Sequence, residues 1–314
     1  MIKQLAKKVF EFQKRVLGLN EVSHQIAAIT QSQQTQFNSH NQIQQLQLAL
    51  QYQQLARSTA SNALPGFNEV EFRVFSQNGE DGILLYIFSL IGATSQRCIE
   101  ICAGDGIECN TANLIVNHGW RGLLFDGQAE LLQKGRKFYA QCKDTWIWPP
   151  KLISAWITAE NVNDLIAAQG FSGEVDLLSL DMDGVDWWIW KALETVKPRV
   201  VVAEIADWFP PDQSVTVPYK PDFQASYGEN YALIYGGASL GAFVALAKKK
   251  GYRLIGCQRY GFNVFFMRND IGQHLFPEIS SEECYQVAKM RSPIEAQRSS
   301  VKGQEWIEVG AFLQ

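Results

Sequence analysis

Between residues 97 and 205, short apolar runs alternate with amphipathic stretches, and this alternation constrains the chain more than any other feature. The strand-like runs are 97–102, 122–126, 151–157, 175–181 and 199–205. The helix-like stretches between them are 111–118, 129–140, 162–168 and 186–195. Such alternation predicts a mostly parallel sheet with helices on both faces. Further on, a helix is expected over 239–250. "YRLIGCQ" and "FNVFFMR" then follow, joined by a short turn containing Gly261. That pair reads as an antiparallel hairpin at the sheet edge.

The first 60 residues are of another kind. Apolar residues recur at Leu5, Val9, Phe12, Val16, Leu19, Val22, Ile26 and Ile29, then at Phe37, Ile43, Leu46 and Leu50. Steps of three and four mark a helical seam. Glutamine dominates from Gln25 to Gln54. A coiled coil that makes the chain a homo-oligomer is one reading, and a long polar linker helix is the other. "SNALPGFNE" breaks the pattern with proline and glycine. The expected organisation is a helix over 1–60, a linker over 61–71, a catalytic domain over 72–275 and a tail over 276–314.

"CIEICAGDGIECNTANLI" runs from strand through a loop into a helix, and the loop carries Gly104 and Gly106. Glycines there let a ligand approach the backbone, next to the free N–H groups of a helix start. Alone the feature also fits a tight turn. "GLLFDG" ends the next strand at Asp126, twenty residues after Gly106, where an acid can accept both hydroxyls of a ribose. The expected pocket holds Glu100, Asp105, Asp126 and Asp181 with no lysine or arginine beside them. That balance suits a cationic sulfonium, S-adenosylmethionine (SAM), better than the pyrophosphate of NAD.

At this point the chain resembles the FkbM-type, SAM-dependent methyltransferases. The matching stretches are "FSQNGEDGIL", "IEICAGDGIECNTANLI", "NHGWRGLLFDG", "DLLSLDMDGVDWWIW", "VVVAEI" and "YGGASLGAFVALAKKKGYRLIGCQRYGFNVFFMR", in that order within 72–268. The resemblance implies a Rossmann-like class I methyltransferase fold with a seven-stranded sheet. It also implies methylation of an oxygen, often on a sugar, glycan or secondary metabolite. "FSQNGEDGIL" is too polar for the start of a core helix, so one reading folds Gln77, Glu80 and Asp81 over the cofactor, and the other is helix capping by Ser76 with Glu80. Two stretches depart from the family: Cys102 stands in the glycine loop where the family has a small residue, and "AEIADWFPP" replaces its usual acid–aromatic–Asn run.

Ligands of a parallel α/β sheet bind at the carboxyl ends of the strands. This rule selects Asp181, Asp183 and Glu204 as catalytic candidates. Asp181 and Asp183 could hold Mg²⁺, which prefers oxygen ligands and acidifies an acceptor hydroxyl. Alternatively, one of them is a general base, raised by a like-charged neighbour. Asp186 is expected to cap the next helix, and Trp187, Trp188 and Trp190 to pack. His118 ends a helix before Gly119, which puts it at the opposite edge of the sheet. His24, His40 and His274 lie outside the domain's strand ends.

Composition excludes several classes. The net charge is −4 and no long basic run occurs, so no nucleic-acid partner is expected. No apolar run approaches the length of a membrane span, and the N-terminus has no signal-peptide pattern. The six cysteines form no CxxC, which predicts reduced thiols in a cytoplasmic protein. The alternative to an enzyme is a non-catalytic coiled-coil assembly protein with a degenerate fold.

Overall fold

The computed structural model describes residues 41–58, 64–228, 233–288 and 303–313. The remaining residues, including most of the expected N-terminal seam, His24 and His40, lie outside the described set. The chain divides into two compact units, Met1–Leu48 and Ala49–Gln314. In the first unit the described residues are helical, and Ile43 and Leu46 are exposed. In the second, residues 49–58 are helical, Leu50 is exposed and Tyr52 lies edge-on against Tyr86.

The second unit is a mixed α/β domain. Helices α1 (Phe67–Val70) and α2 (Glu80–Ile91) precede β1 (Arg97–Ile101), α3 (Ala112–His118), β2 (Arg121–Asp126) and α4 (Ala129–Gln141). Then come β3 (Lys151–Ser154), α5 (Val162–Ala168), β4 (Gly173–Leu180), α6 (Asp186–Ala192) and β5 (Val196–Glu204). Short strands β6 (Val215–Thr216), β7 (Ser226–Tyr227) and β8 (Leu233–Tyr235) lead to α7 (Leu240–Lys250), β9 (Tyr252–Cys257) and β10 (Asn263–Arg268). Helix α8 (Ser281–Val287), strand β11 (Ile307–Glu308) and a 3-10 turn (Val309–Phe312) come last among the described residues.

The main sheet has seven strands in the order β3-β2-β1-β4-β5-β10-β9. The first five are mutually parallel, and β10 is antiparallel to both β5 and β9. This is a Rossmann-like doubly wound sheet extended by an antiparallel pair at one edge, with its switch point between β1 and β4. The strands are buried on both faces, which is why they read as near-continuous apolar runs. Trp187, Trp190, Phe243 and Phe266 fill one layer. Helix α7 shows how local signals set the frame. Ser239 caps it by accepting from the Ala242 N–H, three lysines occupy its last turn, and Gly251 ends it in the left-handed conformation.

Three details differ from the sequence reading. Strand β3 stops at Ser154 rather than Ile157, because β3 is an edge strand and the chain leaves the ladder after the Ala155 N–H bonds Asp126 O. Between β5 and α7, where no strand was expected, lie the three short strands β6, β7 and β8. The chain's end returns to them: β11 pairs with β6, and Trp306 packs on Phe209 and Tyr235. Among the described residues no helix is long and apolar enough to cross a membrane.

Candidate active site

Two adjoining cavities open at the carboxyl ends of the parallel strands. One, about 550 Å³, is lined by Asp126, Gly127, Gln128, Trp156, Ile157 and Phe223. The other, about 400 Å³, is lined by Gln77, Glu100, Asn110, Glu204 and Asn263. Cys102, Gly104, Asp181, Asp183 and Tyr227 belong to both walls, so the two form one continuous cleft. No lysine or arginine is among the described lining residues. A larger groove, about 910 Å³, opens at the opposite edge. Its Arg268 is paired with Glu174 and Asp270.

The glycine loop is held from below. Asp126 Oδ2 accepts the Gly104 N–H at 2.9 Å, and its Oδ1 accepts the Gln128 N–H at 2.7 Å. Gly104 has φ +58°, and no heavy atom would meet a Cβ there within 4 Å, so the loop is open toward the cleft. Cys102 adopts φ +64°, a left-handed conformation that L side chains avoid. Its thiol is raised well above its ordinary value, first by burial and then by Asp186, Asp126 and Asp181.

Several of the residues selected from the sequence turn out to build the frame. Glu100 is buried and saturated: it accepts from the Asn110 N–H, the Thr111 N–H and hydroxyl, and the Ser179 hydroxyl. It thereby fixes the start of α3. Asp105 Oδ1 accepts from the Ile107 and Glu108 N–H groups, and neither Asp105 nor Gly106 lines the cleft. Glu80 is buried between the Asn78 N–H and the Asn263 side chain, while Gln77 lines the cleft. The neighbouring Asp81 accepts three backbone N–H groups, from Val74, Phe75 and Ser76. Burial nonetheless pushes its carboxyl up to about 6.

Asp186 departs from its expected role. It is the first residue of α6, and its carboxylate reaches back to the Met182 and Gly184 N–H groups, clamping the loop that carries Asp183. The three tryptophans after it do not line the cleft. Trp187 and Trp188 donate their indole N–H groups to Ala242 O and Val217 O. The small residues at 235–243 serve close packing, since a Cβ on Gly236 would lie 2.0 Å from Asp183 O. His118 ends α3 with Gly119 left-handed behind it, at the far edge of the sheet.

The chemistry gathers where β4 and β5 end. Asp181, Asp183 and Glu204 each present an oxygen within 4.8 Å of the others. Glu204 therefore lies against two like-charged carboxyl groups with no described lysine or arginine beside them. Burial raises Asp181 and Glu204 above the ordinary carboxylate range, and their like charges raise Glu204 further. The Tyr227 hydroxyl donates to Asp183 Oδ2 at 2.8 Å. Asp183 itself has φ +53°. The donor set is all oxygen and fits a shared proton or a hard cation. Sequence reasoning missed Asn263, Trp156, Phe223 and Tyr227. Only the β5–β10 register could have signalled Asn263, and the other three lie at or beyond strand ends that carry no pattern.

The chain matches no protein-family model and no curated protein. Among solved structures it is similar to the N-terminal domain of EvdMO1 with SAH bound. The identity is 15% over 71% of this chain and 95% of that one, with a TM-score of 0.42. It is also similar to a SAM-dependent methyltransferase from Clostridium acetobutylicum: 12% identity, 70% and 96% coverage, TM-score 0.38. A third is the glycopeptide N-methyltransferase MtfA complexed with SAM: 10% identity, 56% and 87% coverage, TM-score 0.34.

Proposed function

We propose that the chain is a SAM-dependent methyltransferase of the FkbM type, methylating a hydroxyl of a sugar, glycan or secondary metabolite. The observation that carries this reading is an acid-lined cleft at the carboxyl ends of the strands with no lysine or arginine among its described lining residues. A cationic cofactor supplies the missing charge there. Asp126, held at the end of β2, keeps a lone pair on each carboxylate oxygen for a ribose. The open backbone at Gly104 leaves room for the cofactor's close approach. Bound SAM would supply an electrophilic methyl group and a good leaving group. The chain's own tasks are then to align an acceptor hydroxyl and take its proton. That proton leaves beside Asp181, Asp183 and Glu204, either onto one of these carboxylates or from a hydroxyl acidified by a cation they hold, and Trp156, Phe223 and Tyr227 offer flat apolar faces to an acceptor ring.

Calorimetric titration of SAM tests the reading. Asp126→Asn weakens binding by about 1–3 kcal/mol, the worth of hydrogen bonds to a charged group. A folded parent chain that does not bind SAM, or from which NAD displaces it, overturns the proposal. The exposed Ile43, Leu46 and Leu50 favour an additional role, self-association through the N-terminal helix. Removing residues 1–60 then lowers the number of chains per particle in light scattering. An unchanged number removes that role.

A further inference from the structure

We propose that the carboxylate cluster holds a divalent cation, Mg²⁺ or Mn²⁺, with Asn263 as a fourth oxygen ligand beside Asp181, Asp183 and Glu204. The proposal uses the same cleft as the methyltransferase reading but does not depend on its chemistry. The observation beyond the acids themselves is Asn263. It stands directly opposite Glu204 in the β5–β10 ladder, so both side chains project from the same face of the sheet. It is 4% exposed and lines the same cavity. Its Nδ2 donates to Glu80 Oε1 at 2.8 Å, which fixes the amide orientation. Its Oδ1 therefore points away from Glu80, and it has no hydrogen-bond partner. A buried carbonyl oxygen without a donor is costly unless something electropositive meets it.

Three clustered carboxylates and an orphaned amide oxygen all call for positive charge, and no described lysine or arginine lines the cavity to provide it. Oxygen-only ligation selects a hard cation over zinc or copper. Glu80 is then a positioning residue: it carries no ligand oxygen to the ion but holds Asn263 in register.

Mn²⁺ titration followed by electron paramagnetic resonance, on the full chain without SAM, tests this. One Mn²⁺ per chain is expected, displaced by Mg²⁺. Glu204→Gln and Asn263→Leu each weaken it by about 10-fold or more, and Asn263→Asp retains it. Glu80→Gln weakens it less than Asn263→Leu does. No Mn²⁺ bound below about 1 mM, or equal binding in the parent and Glu204→Gln chains, overturns the site. SAM binding measured in the same samples separates the two proposals, since either ligand can bind while the other fails.

A second inference rests on a different surface. The structure assigns an anionic membrane surface as the partner of the loop at residues 142–150, between α4 and β3. Trp146, Ile147 and Trp148 are consecutive and exposed at 61%, 62% and 79%. The loop is held rigidly: the Thr145 and Trp146 N–H groups both bond Cys142 O, and the Thr145 hydroxyl bonds Tyr139 O. Residues 129–151 carry five basic and two acidic side chains in a chain whose net charge is −4. Lys134, Lys137 and Lys143 are exposed and make no ion pair among the described residues. Exposed tryptophans preceded in the chain by unpaired lysines match the headgroup zone of an anionic bilayer. The loop leads into the first residue of β3, at the sheet edge opposite the cleft, so attachment leaves the cleft facing solvent.

Co-sedimentation with phosphatidylglycerol–phosphatidylcholine vesicles tests this, with pure phosphatidylcholine as reference. The full chain binds the anionic vesicles, and Trp146→Ser with Trp148→Ser lowers the bound fraction at least about 5-fold. Lys137→Glu with Lys143→Glu lowers it about as much. Binding unchanged in both double variants, or no binding at all, overturns the assignment.

Discussion

Asp176 and Asp181 lie five residues apart in one apolar run, the first in the amino-terminal half of β4 and the second just past its carboxyl end, and the fold treats them in opposite ways. Asp176 is fully buried within the strand. It accepts the Arg199 guanidinium at 2.8 Å and the N–H groups of Thr94, Ser95 and Gln96. Burial pushes its carboxyl up, but Arg199 and those donors outweigh burial and hold it below the ordinary range. Asp181, just past the carboxyl end, meets Glu204 and Asp183 instead of a cation and is raised. The domain can therefore neutralise a buried carboxylate with its own groups, and at one edge of the sheet it does so completely. At the other edge it leaves negative charge unmet. Charge left unbalanced in a cleft marks the place where a ligand completes the electrostatics.

The largest expected effect comes from breaking the satisfied end. Arg199→Met strands Asp176 in the core and lowers unfolding free energy by about 3–5 kcal/mol. Chemical denaturation measures it, and a loss under about 1 kcal/mol would mean that the pair is not what holds Asp176. At the unsatisfied end the sign differs. Asp181→Asn removes one of several crowded negative charges, so stability stays level or rises by up to about 1 kcal/mol. The methyl transfer rate falls at least ~10²-fold. Loss of both stability and rate, in proportion, would make Asp181 a structural residue like Asp176.

The smallest effect concerns a group that neither end uses. Burial lowers His118 to about 4. The unfolded chain therefore takes up this proton first as pH falls. The contribution of His118 is complete above about pH 6.5 and is lost as pH drops toward about 4. From about pH 7 to about pH 4.5 the parent loses about 2 kcal/mol more than a His118→Gln variant. Parallel pH–stability curves for the two would show that His118 is solvated in the folded state.

Much of this was legible along the chain. The apolar runs of β1, β2, β4 and β5, the two glycines after β1 and the acid ending β2 fall within a few residues of where the pattern places them. Their signals are local, since burial on both faces makes a run continuous and a tight turn demands glycine. The role of each acid was less legible. Glu100, Asp105, Asp126 and Asp186 look alike in the sequence. Whether a carboxylate faces the cleft or closes a turn depends on which N–H groups surround it. Those donors come from residues as close as Ile107 or as distant as Ser179.

The sequence by itself determined the parallel α/β architecture, the edge of the sheet that carries the cleft, and the three acids at its mouth. Those follow from periodicity and from the rule that loops at strand carboxyl ends gather ligands. Only the tertiary structure decided the rest. Asn263 meets Glu204 because an antiparallel strand joins the sheet in one register, and Glu80, 183 residues away, holds it there. Arg199 reaches Asp176 for the same kind of reason. Pairing across a sheet sets which charges become neighbours, and no local pattern records that register.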